Sequence, residues 1–216
     1  RSEVIKMSKI QEVKSKVEQG RTKIIPGLVQ EALDEGDKAE DILQVMIDAM
    51  STVGDKFSAG EIFVPEMLVA AKAMSKGVDV LKPHLVSGDT SSLGTCIIGT
   101  VAGDLHDIGK NLVAMMIESA GFKVVDLGVD VPKEKFIEAV QQNDNVKIVA
   151  CSGLLTTTMP AMKETVKALK ESKLQGFKIM VGGAPVTPEF ASEINADAYT
   201  PDAGSAAVEA KKLASA

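Results

Sequence analysis

One short segment of the chain combines a histidine, a carboxylate and a glycine at close spacing. It reads GDLHDIGKN over residues 103–111, with Asp104 two residues before His106 and Gly109 three residues after it. A neutral imidazole is a good ligand for a transition metal, and a carboxylate at its second nitrogen fixes the tautomer and raises the basicity. Gly109 lets the backbone approach a large ligand closely. Taken alone, the segment more often indicates the simpler alternative, a loop histidine with Asp107 as a helix N-cap, than a metal ligand.

Two further segments carry glycines and hydroxyl side chains. The first reads SGLLTTT over residues 152–158, and the second reads GGAP over residues 182–185. Taken singly, such glycines can be simple turn residues at strand ends. Thr158, just before Met159 and Pro160, can likewise be an ordinary helix N-cap. The function of either segment therefore depends on where the fold places it.

The predicted secondary structure that positions these segments changes near residue 90, from helices alone to alternating strands and helices. Before it, apolar residues recur at helical spacing in four stripes, of which the clearest is Ile42, Met46, Met50, Val53 and Phe57. Gly20 and Gly36 follow the first two stripes, and Pro65 is a favoured first-turn residue for the fourth helix. Four short helices with short connections predict a helical bundle, which we assign to residues 1–88.

After a linker at residues 82–94 that is rich in Pro, Gly and Ser, β-like runs alternate with helical stretches. The predicted strands are 95–101, 123–127, 147–151, 177–181 and a weak fifth at 197–199. The predicted helices are 110–120, 133–142, 160–171, 188–194 and 204–213. Such alternation predicts an α/β fold in which helices cover both faces of a five-stranded parallel sheet, here a Rossmann-like (flavodoxin-like) domain over residues 89–216. Ligands on these sheets bind at the carboxyl ends of strands, where all three segments fall.

The three segments and their spacing resemble a known signature. Asp104-x-His106-x-x-Gly109, then 42 residues, Ser152-x-Leu154, then 27 residues, and Gly182-Gly183 is similar to the cobalamin-binding module. That module occurs in cobalamin-dependent methionine synthase, some mutases and the corrinoid proteins of methyltransferase systems. VGDKF at 53–57 and GEIFVP at 60–65 resemble the helical cap that the family places over the reactive face of cobalt. Cap and module account for nearly the whole chain, so we expect a stand-alone corrinoid protein without a methyltransferase or mutase barrel.

The resemblance implies roles at the metal for three residues. His106 would be the lower axial ligand to cobalt and would displace the cofactor's own benzimidazole. Asp104 would hydrogen-bond His106, and together these two residues would couple protonation to the oxidation state of cobalt. The hydroxyl of Thr158 would bond Asp104, an alternative to its role as an N-cap.

It also implies contacts to the rest of the cofactor. Ser152 would bond the nucleotide tail of the corrinoid, and Gly153, Gly182 and Gly183 would leave a slot for it. We expect that a valine at position 183 would block this slot while leaving the fold largely intact. The other expected cofactor contacts are Asp107, Ile108, Gly109, Leu154 and Thr156 and, in the cap, Phe63 and Met67, although either cap residue could be plain bundle core.

Composition excludes several other classes of protein. The 216 residues include 24 Lys and Arg against 30 Asp and Glu, a net charge of −6, which argues against binding to nucleic acid. No apolar run approaches the ~18 residues of a membrane span. No signal peptide is visible, and Cys96 and Cys151 lie in apolar runs without metal-ligand spacing. We therefore expect a cytoplasmic protein with free thiols.

The resemblance implies the activity as well. The chain would bind cobalamin or a related corrinoid, accept a methyl group on cobalt from a donor-specific methyltransferase, and deliver it to a second methyltransferase. The acceptor would be tetrahydrofolate, a related pterin or a thiol, and a reductive activase would keep the cobalt reduced. The protein would not turn over on its own. Two alternatives stay open at this point: a corrinoid storage or sensing protein, and a flavodoxin-like domain that binds no corrinoid.

Overall fold

The structure is a computed structural model that describes residues 8–84 and 93–215. These residues form two compact units, one in each of the two ranges. The domain boundary predicted from the sequence, between residues 88 and 89, falls among residues 85–92 and lies outside the described residues.

The N-terminal unit is a helical bundle. Its α-helices are α1 (Lys9–Glu18), α2 (Ile25–Asp34), α3 (Ala39–Ser58) and α4 (Val64–Leu81), and a 3-10 turn follows at Lys82–His84. α3 packs against α1 and α4, and α2 packs against the same two helices. The apolar stripe of α3 is its buried face, since Met46 is fully buried and Met50 is 2% exposed. The predicted four-helix bundle is confirmed.

The ends of these helices follow from single residues. α1 ends in a Schellman motif, in which the Gly20 N–H donates to the Val17 carbonyl and the Arg21 N–H to the Lys16 carbonyl. Pro65 is the second residue of α4, where its missing N–H would have no partner within the helix. Glycine and proline therefore place these boundaries where the sequence predicts them.

The C-terminal unit is a parallel sheet covered by helices. The strands are β1 (Thr95–Thr100), β2 (Lys123–Asp126), β3 (Val146–Ser152), β4 (Lys178–Gly182) and β5 (Ala198–Tyr199). The helices are α5 (Ile108–Ser119), α6 (Lys133–Gln142), α7 (Met159–Glu171), α8 (Pro188–Glu193) and α9 (Ala203–Ala214), with a 3-10 turn at Thr156–Thr158. All strand pairs are parallel, in the order β2-β1-β3-β4-β5. The predicted fold class is confirmed, and no predicted bound is off by more than two residues.

Helices pack on the sheet and bury it. Ile97 of β1 and Val149 of β3 share a core with Phe136 of α6 and Met162 of α7. α5 and α9 pack against each other, α5 on β1 and β2 and α9 on β3 and β4. The chain leaves β1 towards β2 on one side and later returns to β3 on the other. The loops after β1 and β3 therefore lie at the topological switch point of the sheet, the place where parallel sheets of this kind bind ligands.

Candidate functional site

The three predicted segments leave the same edge of the sheet. Thr100 at the end of β1 pairs with Ser152 at the end of β3, and Ser152 pairs with Gly182 at the end of β4. The Gly153 N–H donates to the Gly182 carbonyl at 3.1 Å just beyond the strands. This alignment brings the histidine loop, residues 101–107, beside the other two segments.

At the centre of the site lies the carboxylate of Asp104, which is fully buried. Its Oδ1 accepts from the main-chain N–H of His106 at 3.1 Å and lies 2.8 Å from the His106 ring Nδ1. Its Oδ2 lies 2.6 Å from Leu154 N, 3.2 Å from Leu155 N and 3.0 Å from the Thr158 hydroxyl oxygen. A single side chain therefore ties the loop after β1 to the loop after β3.

These contacts determine the charge of Asp104. Burial alone would raise the pKa of its carboxyl group, because it disfavours the charged form. The hydrogen bonds from Leu154, from the ring and main chain of His106 and from Thr158 outweigh burial and hold the pKa well below its usual range. The carboxylate is therefore ionised at neutral pH.

An ionised carboxylate determines the tautomer of His106. Asp104 can only accept hydrogen bonds, so Nδ1 of the neutral ring carries the proton and Nε2 carries the lone pair. Nε2 makes no hydrogen bond with any residue in 8–84 or 93–215, and the side chain is 50% exposed. The ring is thus fixed at one nitrogen and free to ligate a metal at the other.

The alternative assignments of Asp107 and Thr158 as N-caps can be compared with the geometry. Asp107 stands at the N-cap position of α5, but its side chain makes no capping bond. Thr158 precedes α7 and also makes no capping bond, while its hydroxyl lies between Asp104 Oδ2 and the Leu155 carbonyl, 2.9 Å from the latter. Thr158 is 5% exposed. Its hydroxyl therefore serves the buried carboxylate rather than the helix end.

Four exposed apolar side chains, here called the apolar rim, lie on the histidine loop, at the start of α5 and in the loop after β3. The exposed fractions are 71% for Leu105, 77% for Ile108, 41% for Leu154 and 39% for Leu155. A methyl group built on Gly109 would meet no atom within 4 Å. Large apolar side chains exposed at the surface mark a candidate binding face, and these lie on or next to the two loops that Asp104 joins.

The donor set can be tested against a corrinoid. Within residues 8–84 and 93–215 no three His, Cys, Asp or Glu side chains cluster in a way that could hold a metal ion. One neutral imidazole with an apolar rim suits a metal whose other ligands belong to a macrocycle, as in a corrinoid. The residues present therefore fit the cofactor, with His106 to ligate cobalt and the rim to contact the ring.

The glycines that follow β3 and β4 have a structural role that the sequence did not indicate. Gly183 has φ +130°, and a Cβ atom there would lie 1.8 Å from the Gly153 carbonyl oxygen. The two loops thus approach each other backbone to backbone. The expectation that a valine at position 183 would leave the fold largely intact is wrong, because the side chain would collide with main chain and strain φ.

The remaining predicted contact residues are placed as follows. Ser152 is partly buried at the end of β3, and Thr156 is exposed at the start of the 3-10 turn. In the N-terminal unit, Phe63 is 67% exposed and Met67 is 1% exposed. Contacts of Ser152, Thr156, Phe63 and Met67 with a cofactor stay predictions.

Sequence reasoning missed several residues near this edge. The Thr100 hydroxyl donates to the His106 carbonyl at 2.9 Å, and the Asp130 carboxylate accepts from the Gly103 N–H at 2.7 Å. The Lys110 side chain, 2% exposed, pairs with Asp126 at the end of β2. Lysine in the first turn of a predicted helix is a weak signal, and no local pattern marks Asp130.

The two cysteines lie in the sheet away from this chemistry. Burial raises the pKa of the Cys96 thiol to about 12, with a further contribution from Cys151, and burial raises that of Cys151 to about 12. Both thiols are free and buried. They are therefore protonated and inert at neutral pH.

Comparison with known families agrees with this geometry. Two family models, each described as a B12 binding domain, match residues 94–210 and residues 10–82. None of the helices in the described ranges is long and apolar enough to cross a membrane.

Named relatives cover most of the chain. The trimethylamine corrinoid protein of Methanosarcina barkeri is 41% identical over 213 residues, 95% of this chain and 98% of that one. Dimethylamine corrinoid protein 1 of Methanosarcina acetivorans is 41% identical over 187 residues, 86% of this chain and 87% of that one. The crystal structure of the methanol:cobalamin methyltransferase complex from Methanosarcina barkeri matches with a TM-score of 0.84 and 29% identity over 97% of this chain and 81% of that chain.

Proposed function

Because the chain belongs to the family of B12-binding corrinoid proteins, we propose that it carries a methyl group on a corrinoid from a donor-specific methyltransferase to an acceptor methyltransferase. When bound, the corrinoid supplies a cobalt centre that can take up and release a methyl group. The observation that carries the proposal is the His106 imidazole, held at Nδ1 by an ionised, buried carboxylate and open at Nε2.

The protein's own part is to hold and orient. Asp104 keeps the proton on Nδ1, so that Nε2 stays available to cobalt, and its negative charge strengthens the imidazole as a donor. The exposed Leu105 and Ile108 supply an apolar surface on which the corrin ring can rest. Ser152 and the glycines after β3 and β4 lie at the same edge of the sheet, where the nucleotide tail of the cofactor would be received.

We further propose that the methyl donor is a methylated amine. Two relatives named for trimethylamine and dimethylamine are each 41% identical to this chain, whereas the corresponding identity with the methanol complex is 29%. The acceptor methyltransferase would use tetrahydrofolate, a related pterin or a thiol, and a reductive activase would return oxidised cofactor to the active state.

Reconstitution tests the proposal. The protein is loaded with hydroxocobalamin, reduced with titanium(III) citrate and mixed with one donor and its methyltransferase, using trimethylamine, dimethylamine, monomethylamine and methanol in turn. We expect the corrinoid absorbance to change with one of the amines and not with methanol. His84→Ala serves as the control for His106→Ala, because His84 is the other of the two histidines and is exposed in the N-terminal unit.

Three other outcomes would each correct the proposal. A change with methanol alone would overturn the assignment of the donor. A protein that binds cobalamin but is methylated by none of the donor pairs would be a storage or sensing protein instead. A purified, folded chain that takes up no coloured cofactor would contradict the carrier function altogether.

A further inference from the structure

A second carboxylate, that of Asp130, also forms a hydrogen bond with the histidine loop. It lies in the connection from β2 to α6, and its Oδ1 accepts from the Gly103 N–H at 2.7 Å. Its own N–H donates to the Asp104 carbonyl at 2.9 Å. Asp130 therefore forms hydrogen bonds with the peptide groups on both sides of the Gly103–Asp104 pair.

The connection that carries Asp130 is itself fixed to β1. The Thr100 N–H donates to the Gly128 carbonyl at 2.9 Å, and the Val131 N–H donates to the Thr100 carbonyl at 2.9 Å. Val101 and Val131 form a parallel bridge just beyond the strand. Asp130 is thus anchored on both sides in sequence, and its two bonds to the loop start from a rigid position.

Neither packing nor ion pairing explains an aspartate at this position. The side chain is exposed, and none of the ion pairs recorded among the described residues includes it. Its φ is +52°, in the left-handed region that most side chains avoid. Asp and Asn tolerate this conformation best after glycine, and glycine could not accept the bond from Gly103. The position therefore requires both an acceptor and a left-handed backbone.

We propose that Asp130 is a positioning residue for the axial ligand, acting on His106 through the backbone of Gly103 and Asp104. The inference rests on the proposed function, since it takes His106 as the ligand to cobalt. Asp104 reaches its five donors only if its own main chain is correctly placed, and Asp130 places it. When the bond to Gly103 is lost, the loop gains freedom and His106 spends less time in the ligating position.

Three substitutions separate the acceptor from the backbone conformation. Asp130→Gly keeps the left-handed φ and removes the acceptor, Asp130→Asn keeps both, and Asp130→Ala loses both. Asn195→Ala is the matched control, because Asn195 is exposed, has φ +59° and lies in the turn after α8. The wild type and the four variants, all labelled with nitrogen-15 histidine, are loaded with cobalamin, reduced to Co(II), and examined by electron paramagnetic resonance. The nitrogen-15 label distinguishes the splitting from His106 from that of the cofactor's own benzimidazole.

We expect Asp130→Gly to lower the ratio of histidine-ligated to other cobalt by roughly tenfold or more, the loss expected for one hydrogen bond to a charged group. Asp130→Asn should restore the ratio to near the wild-type value, and Asn195→Ala should not change it. A folded Asp130→Gly protein with the wild-type ratio would overturn the inference. So would an Asp130→Asn protein that fails as badly as the glycine variant.

Hydrogen exchange on the wild-type protein without cofactor tests the hydrogen bond from the Gly103 N–H to Asp130 independently of any variant. The Gly103 amide should be protected to about the same extent as amides at the end of β1, and an unprotected Gly103 amide would overturn the inference. If instead the wild-type holoprotein shows no splitting from a histidine nitrogen, the assignment of His106 as ligand fails, and with it the proposed site. The two failures are therefore distinguishable.

Discussion

The hydroxyl of Thr100 donates a 2.9 Å hydrogen bond to the main-chain carbonyl of His106, and Thr100 is fully buried at the end of β1. The bond fixes the far end of the histidine loop to the central strand of the sheet. The loop is therefore held along its length by Asp130 at its start, Asp104 in its middle and Thr100 near its end.

Thr100→Val should weaken both the fold and the axial ligation. The change keeps the shape of the side chain and leaves the His106 carbonyl without its donor, which costs roughly 1–2 kcal/mol in the free energy of unfolding. Urea denaturation measures this cost, and Co(II) resonance measures the ligation. Thr165→Val is the control, since the Thr165 hydroxyl is also buried and donates to a carbonyl, that of Ala161 in α7. Equal loss of ligation in both variants would contradict the role of Thr100.

His106→Ala should remove the axial nitrogen with little cost in stability. The side chain is 50% exposed, and Asp104 keeps its bonds from Leu154, Leu155 and Thr158. The splitting from the histidine nitrogen, identified with nitrogen-15 histidine, should disappear from the Co(II) spectrum. The free energy of unfolding of the cofactor-free protein, measured with urea, should change by less than about 1 kcal/mol. A variant spectrum that keeps a splitting from a histidine nitrogen would exclude His106 as the ligand.

Asp104→Asn should destabilise the protein in a pH-dependent manner. The folded pKa of Asp104 is depressed, whereas the unfolded value is near 3.9. The unfolded chain therefore binds the proton first, and the stabilisation is complete above about pH 5 and falls as the pH drops below about 4. At pH 7 we expect a loss of roughly 2–3 kcal/mol, because the amide presents a donor to groups that are themselves donors.

Urea midpoints of the wild type and the variant between pH 3.5 and pH 7 test this expectation. Asp144→Asn, an exposed carboxylate in the turn before β3, should show neither the loss nor the pH dependence. A difference between wild type and Asp104→Asn that stays constant down to pH 3.5 would show that the charge of Asp104 is not what stabilises the fold.

Substitution by alanine should have different effects at two glycines near the site, destabilising the fold at Gly183 and weakening cofactor binding at Gly109. At Gly183 the added Cβ would collide with the Gly153 carbonyl in a backbone with positive φ, so we expect a loss of more than about 3 kcal/mol or no folding. At Gly109 the added Cβ meets open space, so stability should hold while the affinity for cobalamin falls. Thermal unfolding without cofactor and titration with cobalamin separate the two effects. A stable Gly183→Ala protein would be inconsistent with the close backbone packing.

Removing Asp126 should cost more stability than removing its ion-pair partner Lys110. The ammonium group is 2% exposed and the carboxylate side chain 39% exposed. Asp126→Asn leaves a buried cation without its counterion and should cost about 3 kcal/mol, whereas Lys110→Met leaves a carboxylate that can turn to water and should cost less. Urea denaturation of both variants and of the double variant gives the comparison, and a larger loss in Lys110→Met would contradict it.

Local spacing was sufficient to predict the histidine and its partner. Asp104 and His106 are two residues apart, so the hydrogen bond from His106 Nδ1 to Asp104 Oδ1 forms within one short loop. Helix periodicity and the positions of Gly20 and Pro65 likewise report local geometry, and the boundaries that they predict agree with the structure. The alternation of strand and helix was enough to predict a parallel sheet, because a parallel crossover needs a helix of that length.

The tertiary structure alone decided which distant residues complete the site. Asp130 is 27 residues from Gly103, and Leu154 is 50 residues from Asp104. These pairs meet because β1 lies between β2 and β3 and the strand ends are level, an order that periodicity cannot encode. The contact of Gly183 with Gly153 depends in the same way on the register of β3 and β4. Strand order and register result from packing over the whole unit, so the hydrogen-bond network around His106 depends on the tertiary fold. The histidine and its aspartate, by contrast, are evident from the local sequence.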